Sequence, residues 1–115
     1  MLRRLLFWIA LAAALSCASP TLPLPPPSLP EVGVSSIAGK VRLSSTRGAE
    51  PNAIIVIFNR NPALAGDHRV SGAQADGVGT WDADVLAAGG DVLDISQEYG
   101  TTRSAPTTVQ IPPTR

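Results

Sequence analysis

The chain has few of the residues that carry out chemistry. It has one cysteine, Cys17, and one histidine, His68, in 115 residues. No internal disulfide can form, so stability has to come from a packed core. Aromatics are scarce: Phe7 and Trp8 sit in the N-terminal stretch, which leaves Phe58, Trp81 and Tyr99 for a folded domain. Base-stacking platforms are excluded on that count. The chain also has no excess of positive charge. Nine basic residues balance nine acidic ones, and setting aside Arg3 and Arg4 leaves seven against nine, or −2, from Cys17 onward. Binding to nucleic acid requires clustered Lys and Arg, so no nucleic-acid partner is expected.

The catalytic constellations are missing too. There is no G-x-S-x-G elbow, and Asp67 lies next to His68, where it is poorly placed to orient the imidazole of a triad. A zinc shell around His68 could be completed only by carboxylates, so the "GDHR" stretch reads as a solvated polar loop. Asp76, Asp82, Asp84, Asp91 and Asp94 lack the EF-hand spacing. Asp82 and Asp84 are expected to share one solvated strand face. Asp76 and Asp91 are expected to accept backbone N–H groups in their turns. The chain therefore reads as non-catalytic, with no metal site and no cofactor, and no ligand-binding face can be read from it.

The N-terminus carries more information. "MLRRLLFWIALAAALSCASP" opens with two arginines, continues in an apolar run from Leu5 to Leu15 and ends in small residues, the three-part layout of a secretory signal. The run is too short for a comfortable membrane span, which takes about 20 residues. Ala14, Leu15, Ser16 and Cys17 resemble the lipobox of bacterial lipoproteins. That resemblance implies a signal peptide over 1–16, removal of the signal before Cys17, and acylation of the Cys17 thiol and its new N-terminus, with membrane lipid as the partner. The alternative reading treats "SCA" as a small-x-small site cut after Ala18, which would discard the cysteine. Ala18 is not the aspartate that retains enterobacterial lipoproteins in the inner membrane, so the resemblance implies the outer membrane of a cell envelope.

Residues 17–30 are expected to be a spacer. "SPTLPLPPPSLP" holds six of the eleven prolines and no charge, a composition that favours extended polyproline II.

From Glu31 to Arg115 the chain is rich in Val, Ile and Thr, punctuated by Gly, Asn and Asp, with no sustained 3.6-residue period. In "SIAGKVRLS", Ile37, Gly39, Val41 and Leu43 alternate with polar or small residues. "AIIVIFN" is apolar at every position from Ala53 to Phe58, which predicts a central strand buried on both sides. "HRVSGAQA" is a weaker strand, and "DGVG" a turn. Trp81, Ala83 and Val85 then share one face, as do Leu93 with Ile95 and Val109 with Ile111. Pro106 places the last segment at a sheet edge. Six or seven short strands at hairpin spacing predict an all-β fold, a small antiparallel β-sandwich over residues 31–115.

The order "IAGKVRLSS", Gly48 and Pro51 before "NAIIVIFN", then "AQADGVGTWDADVLAAGGDVLDIS" resembles the carboxypeptidase regulatory-like domains, which are prealbumin-like sandwiches. The resemblance covers residues 34–111 and implies an accessory module that braces, spaces or binds. The combined expectation is a lipid-anchored interaction or structural module with an envelope protein or glycan as partner. The alternative is a secreted, unanchored carbohydrate- or peptide-binding domain.

Overall fold

Period-two alternation of apolar side chains leaves each strand one greasy face, and such faces are buried by stacking sheets. The computed structural model, which describes residues 23–113, shows this outcome as two antiparallel sheets. β1 (Glu31–Val34), β2 (Lys40–Ser45) and β5 (Trp81–Leu86) form a three-stranded sheet in the order β1-β2-β5. The second sheet runs β4 (Val70–Gln74), β3 (Ile54–Asn59), β6 (Val92–Tyr99) and β7 (Thr102–Arg103), with β8 (Thr107–Gln110) also paired to β6. A 3-10 turn at Gly66–His68 joins β3 to β4. No helix among the described residues is long and apolar enough to cross a membrane. The fold is the all-β sandwich expected from the sequence.

The core lies between the sheets. Leu43, Ile55, Ile57, Leu93 and Ile95 are wholly buried, and Trp81, Val85, Val109 and Ile111 close around them. The inward phases read for β2, β5, β6 and the final segment therefore hold. That final segment is an interrupted edge. Glu98 pairs with Arg103 and Ile95 with Thr107, so Ser96 and Gln97 stand opposite the three residues from Ser104 to Pro106. This one-residue bulge accommodates a proline that has no N–H for the ladder. The Gln97 amide donates instead to Ser104 Oγ at 3.0 Å.

The "DGVG" turn is built around Asp76, whose Oδ1 accepts from the amides of Val78 and Thr80, each at 3.0 Å. Gly79 has φ +83°, and a Cβ there would overlap the Ala49 carbonyl oxygen. Only glycine serves at that position.

Three expectations are corrected. Ile37 does not belong to the β2 alternation. It sits in the loop between β1 and β2 and is 46% exposed, because the hairpin partner is β1, a strand in "EVGV" that the sequence analysis did not assign. β3 is central within its sheet, between β4 and β6, but is buried on one face only: Ile55 and Ile57 point into the core while Ile54 and Phe58 remain exposed. Nothing among the described residues forms a third layer over the outer face. Finally, the proline-rich stretch is packed from Pro25 onward. Pro25 O accepts from Gln97 Nε2 at 2.7 Å, Pro27 O accepts from Thr107 Oγ1, and the Ser28 amide donates to Gly48 O at 2.8 Å. Pro27 and Pro30 are buried.

Candidate functional site

At the end of the sandwich where β1, β5 and β8 finish, the two sheets leave an open groove of about 600 Å³. One wall is Val32 and Val34 of β1 with Val41 of β2. The other is Ala87 with Ile111 and Pro112, and Leu64 from the loop after β3 contributes to the lining. The walls are apolar because the same inward-facing alternation that fills the core continues past the point where the opposing sheet covers it.

A polar cluster holds these loop ends together. Asn59, only 1% exposed, donates from Nδ2 to Leu86 O at 3.1 Å and to Asp91 Oδ2 at 3.0 Å. Asn61 Nδ2 donates to Asp91 Oδ1 at 3.1 Å, and the Asn61 amide donates to Asn59 Oδ1 at 2.9 Å. The Ala88 amide completes the set by donating to Asp91 Oδ2 at 3.0 Å. Asp91 thus ties the ends of β3 and β5 to the start of β6, and the turn role expected for it is what the structure shows. The Ala88 amide first, and then the Asn59 and Asn61 side chains, hold its carboxyl below the usual carboxylate range against the opposing effect of partial burial.

Because the folded-state pKa lies below the unfolded one, this carboxylate contributes stability that is complete above the ordinary carboxylate value of about 3.9 and fades as the pH falls below it. Asp76 and Asp94 act in the same direction, Asp76 through the Thr80 and Val78 amides and Asp94 through the Arg60 guanidinium. The expected result is that Asp91→Ala lowers the melting temperature at pH 7, and that the gap to wild type narrows in a melting series carried below pH ~3.9. A gap of constant size would show that the ionised form of Asp91 is not what the loops depend on.

The remaining polar residues singled out in the sequence do not converge on the groove. Asp82 and Asp84 share a face of the three-stranded sheet, as expected, and hold the Arg42 guanidinium at 3.0 and 3.3 Å. His68 Nε2 lies 3.9 Å from Asp67 Oδ2, and both side chains are mostly in solvent. Arg60 pairs with Asp94 through both nitrogens of its fork on the outer face of the five-stranded sheet, at 2.7 and 2.8 Å. Cys17 lies outside the described residues. Sequence reasoning read "NRNP" as a turn and missed the two asparagines that clasp Asp91. Their spacing of two residues flanking Arg60 was the available signal.

No protein-family model, curated protein or solved structure matches the chain. What the site can do follows from its own geometry. The groove offers apolar surface held in place by an internally satisfied polar cluster, and burying a side chain such as Val or Leu on a surface of that kind contributes about 1.5–3 kcal/mol.

Proposed function

We propose that this chain is a membrane-anchored lipoprotein that displays a small non-catalytic β-sandwich as an interaction or structural module at the cell envelope. The observation that carries the reading is the run Ala14-Leu15-Ser16-Cys17, placed between an apolar stretch headed by Arg3 and Arg4 and a proline-rich connection, in a chain with no other cysteine. A thiol in an oxidising compartment invites mispairing, and acylation removes it. Each buried methylene contributes about 0.8 kcal/mol, and two or more chains hold stably where one does not. Residues 17–24 precede the packed prolines and, if extended at ~3.1 Å per residue, would reach about 25 Å. That is enough to stand the sandwich off lipid headgroups. The alternation and turn pattern resembling carboxypeptidase regulatory-like domains, together with a two-sheet antiparallel fold, supports an accessory module. Ala18 after the cysteine favours the outer membrane. The reading calls on no metal, cofactor or nucleic acid.

The second reading, a secreted and unanchored carbohydrate- or peptide-binding domain, draws on the "SCA" site and the groove. The anchor is tested by Cys17→Ser. The wild-type protein is expected to fractionate with membranes, to resist extraction by salt, because hydrophobic anchoring is not screened by ions, and to carry its acyl mass on residue 17. Cys17→Ser is expected to be soluble or to persist as uncut precursor. A soluble wild-type protein beginning at Ser19 and free of lipid would overturn the anchor and favour the second reading.

A further inference from the structure

We infer that the free edge of β1 and the groove beside it form a strand-acceptor site, which takes one extended segment of another protein as a fourth strand of the smaller sheet. This rests on reading the domain as an interaction module and is independent of the lipid anchor.

Among the described residues β1 is paired on one side only, to β2. Alternate residues of an edge strand direct N–H and C=O groups away from their partner, and those groups bind another extended backbone. Natural edges are commonly blunted by lysine, proline or a bulge. The β7–β8 edge has a bulge with Pro106 in it, whereas β1 is blunted only at its start, by Pro30 and Glu31, and Val32–Val34 carry no charge, proline or bulge.

The side chains point to the same conclusion. Val32 pairs with Leu43 and Val34 with Val41, so all four share the core-facing side. Leu43 is wholly buried, but Val34 is 95% exposed and lines the groove. A core-facing valine left in solvent marks the place where cover is missing. The layers differ in width as well, since three strands lie over a sheet that runs β4-β3-β6 and continues to β8. The groove lies between the Val34 end of β1 and Ile111, so only that end of a fourth strand would border it, while the Glu31 end approaches the Pro25–Pro30 segment packed on Thr107. A strand hydrogen-bonded to β1 would turn every second side chain toward the opposing sheet and place the one beside Val34 at the mouth of that groove. A small apolar ligand would fill the groove but leave the backbone edge unused.

Charge completes the description of the occupant. Glu31 at one end of the edge and Lys40, near Val34 at the other, take part in no ion pair among the described residues. The matching segment alternates apolar and polar residues, with a cation opposite Glu31 and a carboxylate near Lys40. A second copy of this chain, pairing through its own β1, fits poorly because the overhanging β8 strands of the two molecules would meet. A lone strand fits.

The test extends the full chain beyond Arg115 with a flexible Gly-Ser linker and a seven-residue Val/Thr alternating strand. Lysine is placed at one end and glutamate at the other, and both orientations are made. Tethering of this kind gives an effective concentration on the order of millimolar. The control strand has serine at every valine position. Hydrogen exchange at the Glu31–Val34 amides is expected to slow about tenfold or more with the valine strand in one orientation and to be unchanged with the serine strand. Val34→Glu, at a position already in solvent, is expected to leave the unextended protein's melting temperature unchanged and to abolish the protection. Unchanged exchange with both orientations would overturn the proposal, as would equal slowing by the serine strand. Concentration-dependent protection of β1 in the unextended chain, accompanied by dimers in sedimentation, would overturn it in favour of a second copy. If Cys17→Ser is soluble and still accepts the strand, the acceptor site stands with its anchor. If the wild type proves unanchored and the strand still binds, only the anchor falls.

Discussion

Replacing Trp81 with alanine is expected to unfold the domain, at a cost of about 3–5 kcal/mol, against the roughly 5–15 kcal/mol that holds a domain together and less for a small one. Of the three aromatics available to the sandwich, Phe58 and Tyr99 are 38% and 52% exposed, while Trp81 is 3% exposed and belongs to the core cluster. It opens β5 opposite Ser45, so its ring packs against core residues at the end of the sandwich away from the groove. No disulfide compensates for the cavity its removal would leave. Trp81 Nε1 has no hydrogen-bond partner among the described residues. A buried donor without an acceptor costs about 1–3 kcal/mol. Trp81→Phe removes that donor while keeping a ring, and is therefore expected to fall well short of the alanine loss. Chemical denaturation of the two variants checks both statements. A cooperative, near-wild-type Trp81→Ala would show that the ring does not support the core.

Deleting residues 23–30 is expected to destabilise the sandwich by about 2–4 kcal/mol relative to a chain that retains them. Gln97 is the reason. It is 2% exposed, its Oε1 accepts from the Glu50 amide at 2.7 Å, and its Nε2 donates to Pro25 O. Without the proline-rich segment that donor loses its acceptor, the Gly48 carbonyl loses the Ser28 amide, and the burial of Pro27 and Pro30 is lost. A protein beginning at Glu31, the boundary expected from composition, should still show a β spectrum but melt earlier than one beginning at Pro23. Equal melting of the two lengths would mean that Pro25–Pro30 rests on the domain without supporting it.

Much of the strand phase was legible. Leu43, Trp81, Val85, Leu93, Ile95, Val109 and Ile111 all face inward as the two-residue period requires, because a strand with one polar face has a single way to meet a core. The turn roles of Asp76 and Asp91 were legible for a local reason, since an Asx side chain reaches amides within a few residues of itself. The groove and its clasp were not. Asn59 and Asn61 lie 32 and 30 residues before Asp91, and their meeting depends on β3 pairing with β6.

The amino-acid sequence alone determined that this is an all-β chain with alternating strands, what its turns are made of, and which face of most strands is greasy. These are properties of neighbours along the backbone. Only the tertiary structure decided that "AIIVIFN" has one dry face rather than two, that "EVGV" is an edge strand, that prolines 25 to 30 belong to the domain, and that a groove remains beside Val34. Apolar residues in the sequence indicate that a face can be buried. Whether it is buried depends on how many layers form and how wide each one is, and strand pairing between distant segments sets both.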